Sequence, residues 1–269
     1  MNDRPGNAAL ASPGPVLRRE VRDGVASLTL DRPKQYNALS RALLEALHQA
    51  LDAAAKDEAV RVVTITGAGN AFCAGHDLKE MRALGSQAEV EALFRSCSEM
   101  MRKLVALPVP VIAVVNGLAT AAGCQLVAQC DLAVASSEAR FAVSGVNLGL
   151  FCSTPAVALS RNLGRKRAAE MLFTGEFIDA GKALEWGLVN RVVPPERLGD
   201  AAGELIAALK AKPREALALG KSLFYRQLEA GLAQAYDDAT RTIACNMDTD
   251  FAREGVDAFL QKRPPSWKT

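Results

Sequence analysis

The feature that most limits the fold of this chain is a nearly continuous apolar run at its centre, VPVIAVVNG at residues 109–117. A strand with water on one face alternates apolar and polar side chains, whereas a strand that is covered on both faces is apolar throughout. The run therefore predicts a strand in the interior of a parallel sheet. Such sheets occur in α/β proteins, where helices cover both faces.

The segments on either side of this run alternate between strand and helix patterns. Strands are predicted at 24–30, 60–66, 131–135 and 188–193, and helices at 40–56, behind a Ser40 cap, at 86–106 and at about 121–129. Loops are predicted at 72–77, where Asp77 caps a helix that starts at Leu78, and at 117–120. This alternation indicates a βαβ-type parallel architecture.

From Pro194 onward the patterns are helical only, at 195–211, 214–229, 231–247 and 252–260. We therefore predict three parts: a flexible tail at 1–16, an α/β core at 17–193 and a helical region at 194–269. The helical region has more apolar positions than one core can cover, for example Leu205, Ala208 and Leu209. It is expected to pack on the core or on a neighbouring subunit.

Composition excludes several classes of protein. The 269 residues include 32 Lys and Arg against 30 Asp and Glu, and only 5% are aromatic, which disfavours nucleic-acid binding. Apolar stretches end well before the ~18 residues that a membrane span needs. The N-terminal residues lack a targeting pattern, and the six cysteines form no C-x-x-C pair, so we expect buried thiols in a cytoplasmic protein. With two histidines, His48 and His76, no metal site is expected.

Two loops that open helices with small residues are candidates for chemistry. They are Cys73–Ala74–Gly75–His76–Asp77 and Ala119–Thr120–Ala121–Ala122–Gly123–Cys124. Small side chains let backbone N–H groups approach a ligand, and the first turn of a helix has unpaired donors. Two such loops that face each other would form an oxyanion hole. The alternative is a pair of tight strand-to-helix turns without a ligand.

Several motifs in order resemble one family. They are KQYNAL at 34–39, FCAGHDLKEM at 72–81, VNG at 115–117, AGCQL at 122–126, CD at 130–131, LFTG at 172–175, AxxWGLV at 183–189 and EGVxAFLxKR at 254–263. This set, from about residue 17 to 267, is similar to the crotonase superfamily, which is the enoyl-CoA hydratase/isomerase family. The stretches at 116–135 and 145–159 look closest to the animal mitochondrial enoyl-CoA hydratase domain-containing branch and its bacterial relatives.

The resemblance implies a spiral of ββα repeats, a C-terminal helical region that builds trimers, often paired into hexamers, and an acyl-CoA ligand with no further cofactor, since coenzyme A is part of the substrate. It assigns the backbone N–H groups of His76 and Ala122 to the oxyanion hole. It places Cys152 and Ser153 on the acyl-pocket loop. Further positions match the family's coenzyme A contacts: Lys34, Ala38, Leu39, Ala74, Asp77, Leu78, Phe259 and Lys262. For Lys262 a solvated surface lysine is the alternative.

The chain departs from the family pattern at the acid/base positions. Hydratases of the family have two glutamates, and here the matching positions are Gln125 and Gly145. A third position, an aspartate in some relatives, is Ser153. Hydration needs a base that deprotonates water and an acid that protonates C2, and a carboxamide cannot take a proton near neutral pH. The resemblance implies a lyase or isomerase of fatty-acid metabolism. Because the acid/base residues are absent, its hydratase activity is expected to be weak.

Other residues could replace the missing acids. Glu138 is one candidate, although the family often has an acid at this position for structural reasons. Asp131 is expected to bind backbone donors at the start of a buried strand. A Cys152 nucleophile activated by His76 would suit thioester transfer, although Cys152 and Ser153 could simply line the pocket. Two function classes stay open: a hydratase/isomerase with weak acid/base groups, and a non-catalytic acyl-CoA-binding scaffold or regulator.

Overall fold

The computed structural model describes residues 14–267, so most of the tail predicted at 1–16 lies outside the described residues. The strands are β1 (Leu17–Arg22), β2 (Val25–Leu30), β3 (Val62–Gly67), β4 (Ala71–Cys73), β5 (Val111–Val115), β6 (Leu118–Thr120), β7 (Leu132–Ser136), β8 (Arg140–Ala142), β9 (Ile178–Asp179) and β10 (Arg191–Val193). The helices are α1 (Arg41–Lys56), α2 (Leu78–Arg82), α3 (Gln87–Ala106), α4 (Ala122–Gln129), α5 (Ser153–Asn162), α6 (Arg165–Thr174), α7 (Ala180–Trp186), α8 (Leu198–Lys210), α9 (Arg214–Leu228), α10 (Leu232–Met247) and α11 (Asp250–Leu260).

The larger sheet has six strands in the order β1-β2-β3-β5-β7-β10, and every pair except β1–β2 is parallel. The predicted apolar strand is β5, and it lies inside this sheet between β3 and β7. Four of its five residues are buried. The expectation of a strand covered on both faces is therefore confirmed.

A second sheet of four short strands, in the order β4-β6-β8-β9, runs beside the first. A strand of the large sheet, a strand of the small sheet and then a helix follow one another three times, as β3-β4-α2/α3, β5-β6-α4 and β7-β8-α5. This succession is the ββα spiral that the family resemblance implies. Because β4, β6 and β8 are parallel, their carboxyl ends meet at one edge.

Two amphipathic helices form one side of the core. Ser40 Oγ accepts from the N–H of Leu43 and so caps α1, whose leucines are buried, and Ser86 caps α3 in the same way. His48 on α1 lies within hydrogen-bond distance of the Ser96 carbonyl oxygen, 3.0 Å from Nε2. The side chain of His48 is thus paired within the packed helices.

A buried ion pair joins the C-terminal helices to the core. Lys221 Nζ on α9 lies 2.6 Å from Asp131 Oδ2 and also donates to the carbonyl oxygens of Leu104 and Val109. The same carboxylate accepts from the N–H of Val111 at 2.7 Å and from the Tyr225 hydroxyl at 2.8 Å. Asp131 therefore binds a backbone donor, as expected, and in addition fixes α9 against the start of β5.

The structure corrects several predicted boundaries and accessibilities. Both predicted loops contain a strand, β4 and β6, and the first C-terminal helix begins at Leu198, after a 3-10 turn at Pro195–Arg197. The sequence did not predict β1, β8, β9, α5, α6 or α7. Leu205 packs against a cluster around Val134 and is not exposed. Five of the cysteines are buried as expected, but Cys245 is exposed.

Candidate active site

Three loops meet where β4, β6 and β8 end. Cys73 pairs with Ala119, and Thr120 pairs with Ala142. The chain leaves these three strands at residues 74–77, at 121 and at 143–145. The small sheet therefore brings together the two candidate loops and the segment with Gly145.

The N–H group of His76 is free to bind a ligand. Leu39 forms an isolated parallel bridge with His76, in which Leu39 donates to the Gly75 carbonyl at 2.7 Å and accepts from the Asp77 N–H at 3.2 Å. In a parallel bridge the partner residue's own N–H points away from the neighbouring strand. Among residues 14–267 the His76 N–H has no acceptor.

The N–H group of Ala122 is the second free donor. Ala122 is the first residue of α4, so its N–H has no partner within the helix. The preceding N–H, of Ala121, donates to the Ala142 carbonyl of β8 at 2.9 Å. No acceptor for the Ala122 N–H is found in the described part of the chain, and the positive end of the α4 dipole lies here.

Glycine at position 75 allows the two donors to approach each other. Gly75 has a φ of +91°, and a Cβ placed on it would lie 2.8 Å from the Ala121 Cβ and 3.2 Å from the Ala122 nitrogen. Thr120 Oγ1 donates to the Ala74 carbonyl at 3.0 Å and joins the loops a second time. Gly123 packs directly on β4, since a Cβ there would lie 2.0 Å from the Cys73 oxygen.

Ala121 adopts a strained backbone conformation between these contacts. Its φ is +48° and its ψ is −119°, in a region where residues other than glycine cost about 1–3 kcal/mol. The hydrogen bond to Ala142 holds this conformation. The strain turns the chain sharply from β6 into α4, and this turn places the Ala122 nitrogen next to Gly75, in the loop of His76.

The predicted coenzyme A positions lie around a second fixed loop. The Arg32 guanidinium donates to Asp77 Oδ2 at 2.9 Å and to the Ala38 carbonyl at 2.6 Å. Asp77 Oδ1 accepts from the first N–H groups of α2, so Asp77 is the expected helix cap. Although burial opposes it, the Arg32 hydrogen bond and the backbone hydrogen bonds lower the pKa of Asp77. The carboxylate is thus already engaged within the chain.

The remaining predicted contact positions differ in accessibility. Ala38 and Leu39 are buried, Ala74 is partly buried, and Lys34 and Leu78 are exposed. Phe259 is 82% exposed near the end of α11, and Lys262 follows that helix with a φ of +55°. No hydrogen bond joins Phe259 or Lys262 to the site among the described residues, so their contact with coenzyme A stays a prediction.

Gln125 and Gly145 occupy the positions of the absent glutamates. Gln125 lies one turn after Ala122 on α4 and is 4% exposed, and its Oε1 has no hydrogen-bond partner in residues 14–267. Gly145 has an ordinary negative φ, but a Cβ on it would lie 2.7 Å from the Leu150 oxygen and 2.8 Å from Cys152 Sγ. The Gly145 N–H donates to Cys152 Sγ at 3.3 Å. The Cys152 sulfur therefore occupies the space that a side chain at position 145 would need.

The other candidate acids and nucleophiles do not complete an acid/base pair. Glu138 is exposed on the turn between β7 and β8, and Asp131 is held by Lys221, Tyr225 and Val111. Burial raises the pKa of the Cys152 thiol, and no hydrogen bond between Cys152 and His76 is present in the described chain. Ser153 donates only to the Phe151 carbonyl and is exposed.

Sequence reasoning missed two side chains at the site. Arg32, which fixes Asp77 and Ala38, precedes the motif and has no pattern of its own. Phe94 of α3 packs its ring against His76, with 4.8 Å between the ring centroids. An apolar residue is expected in an amphipathic helix, so the sequence did not indicate that Phe94 lies at a functional site.

No group of three or more His, Cys, Asp or Glu residues within 14–267 could hold a metal ion. None of the helices in the same range is long and apolar enough to cross a bilayer.

Comparisons with known proteins support the resemblance. The model of the enoyl-CoA hydratase/isomerase family matches residues 20–269. The rat mitochondrial enoyl-CoA hydratase domain-containing protein 3 is 45% identical over 98% of this chain and 89% of its own. An enoyl-CoA hydratase structure from Mycobacterium smegmatis aligns with a TM-score of 0.93 and 57% identity, over 95% of this chain and all of that one. The structure of the human enoyl-CoA hydratase domain-containing protein 3 aligns with a TM-score of 0.91 and 44% identity, over 94% of this chain and 100% of its own.

These matches confirm the predicted fold and branch, and they correct one prediction. The expectation of a cytoplasmic protein is wrong, because the rat relative and its mouse and human counterparts are named as mitochondrial proteins. The division into parts at 17–193 and 194–269 stays a prediction.

Proposed function

This chain belongs to the enoyl-CoA hydratase/isomerase family, and from that premise we propose that it binds an acyl-CoA thioester in a backbone oxyanion hole formed by His76 and Ala122. The observation that carries the proposal is the approach of two unpaired N–H groups at Gly75, where no side chain fits. Coenzyme A arrives as part of the ligand, and no further cofactor takes part.

The hole would act on the thioester carbonyl. Two N–H donors that are fixed before the ligand binds stabilise negative charge on the oxygen when it becomes an enolate, and they need no reorganisation. The dipole of α4 adds to this stabilisation at Ala122. The site thus acidifies C2 and polarises the double bond of an enoyl thioester, which is the part of hydration that uses backbone atoms only.

The proton transfers are where activity is expected to be weak. Each positioned acid or base contributes ~10²–10⁴-fold in rate. Gln125 can orient a water molecule but cannot accept its proton, and Gly145 offers no side chain. We therefore propose slow hydration of 2-enoyl-CoA to 3-hydroxyacyl-CoA, at least roughly 10³-fold slower than in a relative that has both glutamates.

A second candidate function is non-catalytic acyl-CoA binding, as a scaffold or regulator. The contact of Cys152 Sγ with Gly145 favours it, because the space for the second acid is filled. The two candidates share the thioester site and differ only in turnover.

We further propose that the chain forms a trimer or a dimer of trimers. Large apolar side chains are exposed along the C-terminal helices, where nothing in residues 14–267 covers them: Phe224, Leu228, Leu232, Tyr236, Ile243, Met247, Phe259 and Leu260. Apolar patches of this kind mark contacts between proteins. Light scattering is expected to give the trimer mass or its double, and a stable monomer at micromolar concentration would contradict this.

Calorimetry tests the proposed function. Butyryl-CoA is expected to bind, and its thioether analogue S-butyl-CoA, which has no carbonyl oxygen, is expected to bind more weakly. Equal affinities would show that the hole does not hold the carbonyl. Crotonyl-CoA hydration then separates the two candidates: slow turnover above the uncatalysed rate indicates the enzyme, and its absence indicates the binding protein.

A further inference from the structure

The guanidinium of Arg32 begins a line of hydrogen bonds that leads to the candidate oxyanion hole. Arg32 Nη1 donates to the Ala38 carbonyl at 2.6 Å. The N–H of the same peptide group, which belongs to Leu39, donates to the Gly75 carbonyl at 2.7 Å. The Gly75 carbonyl in turn shares its peptide group with the N–H of His76. The side chain of Arg32 is thus connected to one of the two proposed donors.

The direction of the last step follows from the geometry of the peptide group. In a planar trans peptide the C=O and the N–H point in opposite directions. Because the Gly75 carbonyl binds Leu39, the His76 N–H points away from Leu39, and it has no acceptor within residues 14–267. Two peptide groups therefore connect the guanidinium to a donor that is free for a ligand.

Both hydrogen bonds of this line are short. Distances between nitrogen and oxygen in such bonds cluster near about 2.9–3.0 Å, and here they are 2.6 and 2.7 Å. A charged donor shortens and strengthens its hydrogen bond, and bonds in a chain polarise one another by about 10–30% each. The charge of Arg32 therefore makes the Leu39 N–H a stronger donor, and the polarised Gly75 carbonyl does the same for the N–H of His76.

The backbone of Arg32 is fixed, so the guanidinium starts from a defined position. The Arg32 N–H donates to Asn37 Oδ1 at 2.9 Å, and the Arg32 carbonyl accepts from the Asn37 N–H at 3.0 Å. Asn37 is fully buried. The side chain of Arg32 is only 17% exposed, and salt screens a partly buried charge less than a surface charge.

Asp77 holds the guanidinium from the other side. Asp77 Oδ2 accepts from Arg32 Nη2 at 2.9 Å, and Oδ1 accepts from the first N–H groups of α2. This carboxylate lies one residue after the His76 donor, where its charge alone would repel negative charge on a bound oxygen. Arg32 therefore offsets an unfavourable charge next to the hole and also polarises the peptide groups that lead to it.

We propose that Arg32 is a positioning residue of the oxyanion hole, which strengthens the His76 donor through the Ala38–Leu39 and Gly75–His76 peptide groups. The inference rests on the proposed function, because it requires a thioester oxygen at the hole. It gives a charged side chain a part in a site whose two donors are backbone atoms. The effect acts on the carbonyl of the ligand, and the guanidinium itself does not touch the ligand.

Infrared spectroscopy of butyryl-CoA with ¹³C at the thioester carbonyl, bound to the full chain, tests the proposal. The wild type is expected to lower the C=O frequency relative to water, and Arg32→Met is expected to lose part of this shift. Arg32→Lys keeps a positively charged donor, whereas Arg32→Gln can still donate to the Ala38 carbonyl but has no charge. The shift is therefore expected to be larger in Arg32→Lys than in Arg32→Gln.

Arg191→Met is the matched control. Arg191 lies on the edge strand β10, and its guanidinium also joins a carbonyl, that of Ala201, to a carboxylate, that of Glu204. The infrared shift is expected to stay the same in this variant. Urea melts show which of the variants are folded.

Calorimetry separates the proposed role from a merely structural one. The affinity of butyryl-CoA relative to S-butyl-CoA, which has no carbonyl oxygen, is expected to fall about two- to tenfold in Arg32→Met, the range of one hydrogen bond. A structural role would lower both affinities by the same factor. An unchanged affinity ratio together with an unchanged infrared shift would therefore contradict the proposal.

The outcomes also distinguish this proposal from the proposed function. If the carbonyl bound to the wild type shows no shift, the oxyanion hole fails and the role of Arg32 fails with it. If the wild type shows the shift and a folded Arg32→Met retains all of it, the role of Arg32 is wrong while the hole stands. Full recovery of the shift in Arg32→Gln would show that a neutral hydrogen bond is sufficient, and it would overturn the role of the charge. If Arg32→Met does not fold, the comparison of Arg32→Lys with Arg32→Gln decides.

Discussion

A β-carbon on Gly75 would lie 2.8 Å from the β-carbon of Ala121, closer than two such atoms can approach. The two residues belong to loops that are 46 positions apart in sequence, and both have positive φ angles, +91° and +48°. The missing side chain of one and the strained backbone of the other allow the loops that carry the N–H groups of His76 and Ala122 to pack against each other.

Gly75→Ala is therefore expected to reduce thioester binding as well as stability. The new methyl group forces the loops apart, and the positive φ adds about 1 kcal/mol of backbone cost. Gly187→Ala is the matched control, because Gly187 has a φ of +85° and nothing within 4 Å of its Cβ position. Urea melts and calorimetry with butyryl-CoA check this. Equal binding by the two variants would show that the close approach does not matter.

Restoring both carboxylates is expected to raise crotonyl-CoA hydration, and space limits the second one. Gln125→Glu alone gives a small gain, because the two groups act as a unit. Gly145→Glu meets the Leu150 oxygen and Cys152 Sγ, so we expect it to fold better when it is combined with Cys152→Ala. The triple variant is expected to gain at least ~10²-fold. Thermal melting must accompany the kinetics, and an unchanged rate in a folded triple variant would contradict the account.

Removal of the buried cation at Lys221 is expected to destabilise the chain strongly. Lys221→Met leaves Asp131 buried without its counter-ion, and loss of one partner of a buried pair costs about 3–5 kcal/mol. Arg161→Met is the control, since the Arg161–Glu229 pair is exposed to solvent and such pairs contribute little to stability. Equilibrium urea unfolding compares them. Similar losses in both variants would mean that the pair does not hold α9 to the core.

Burial of His76 predicts a dependence of stability on pH. The pKa of this side chain falls from 6.5 to about 4 in the folded state, so between these values the unfolded chain binds a proton that the folded chain does not. Stability then decreases as the pH falls through this window, by up to about 3 kcal/mol. His76→Phe lacks this contribution. The unfolding free energy of the wild type, relative to that of His76→Phe, is expected to decrease from pH 7 to pH 4. A constant difference between the two proteins would contradict a lowered pKa of His76.

Much of the framework follows from local patterns. The Ser40 cap and the buried leucines predict α1, and the apolar run predicts β5. The short strands β4, β6 and β8 have only three residues each, too few for the alternation that marks a strand. The pairing of these strands brings the three loops of the candidate site together.

The details of the site depend on contacts between distant positions. The free N–H of His76 follows from its bridge to Leu39, and the filled space at Gly145 follows from the sulfur of Cys152. The sequence identified Gln125 as a departure from the family pattern. That its side-chain oxygen is unpaired depends on where the surrounding N–H groups lie, and only the structure shows this. Motif matching found the residues, and packing determines what they can do.

The most direct test of the oxyanion hole is the infrared stretch of the thioester carbonyl in butyryl-CoA that carries ¹³C at this carbon. Two N–H donors aimed at the oxygen weaken the C=O bond, so the account predicts a lower frequency for the bound ligand than for the same ligand in water. The shift is expected to be smaller in Gly75→Ala and unchanged in Gly187→Ala. A bound carbonyl that absorbs at its frequency in water, or above it, would contradict a hole formed by His76 and Ala122.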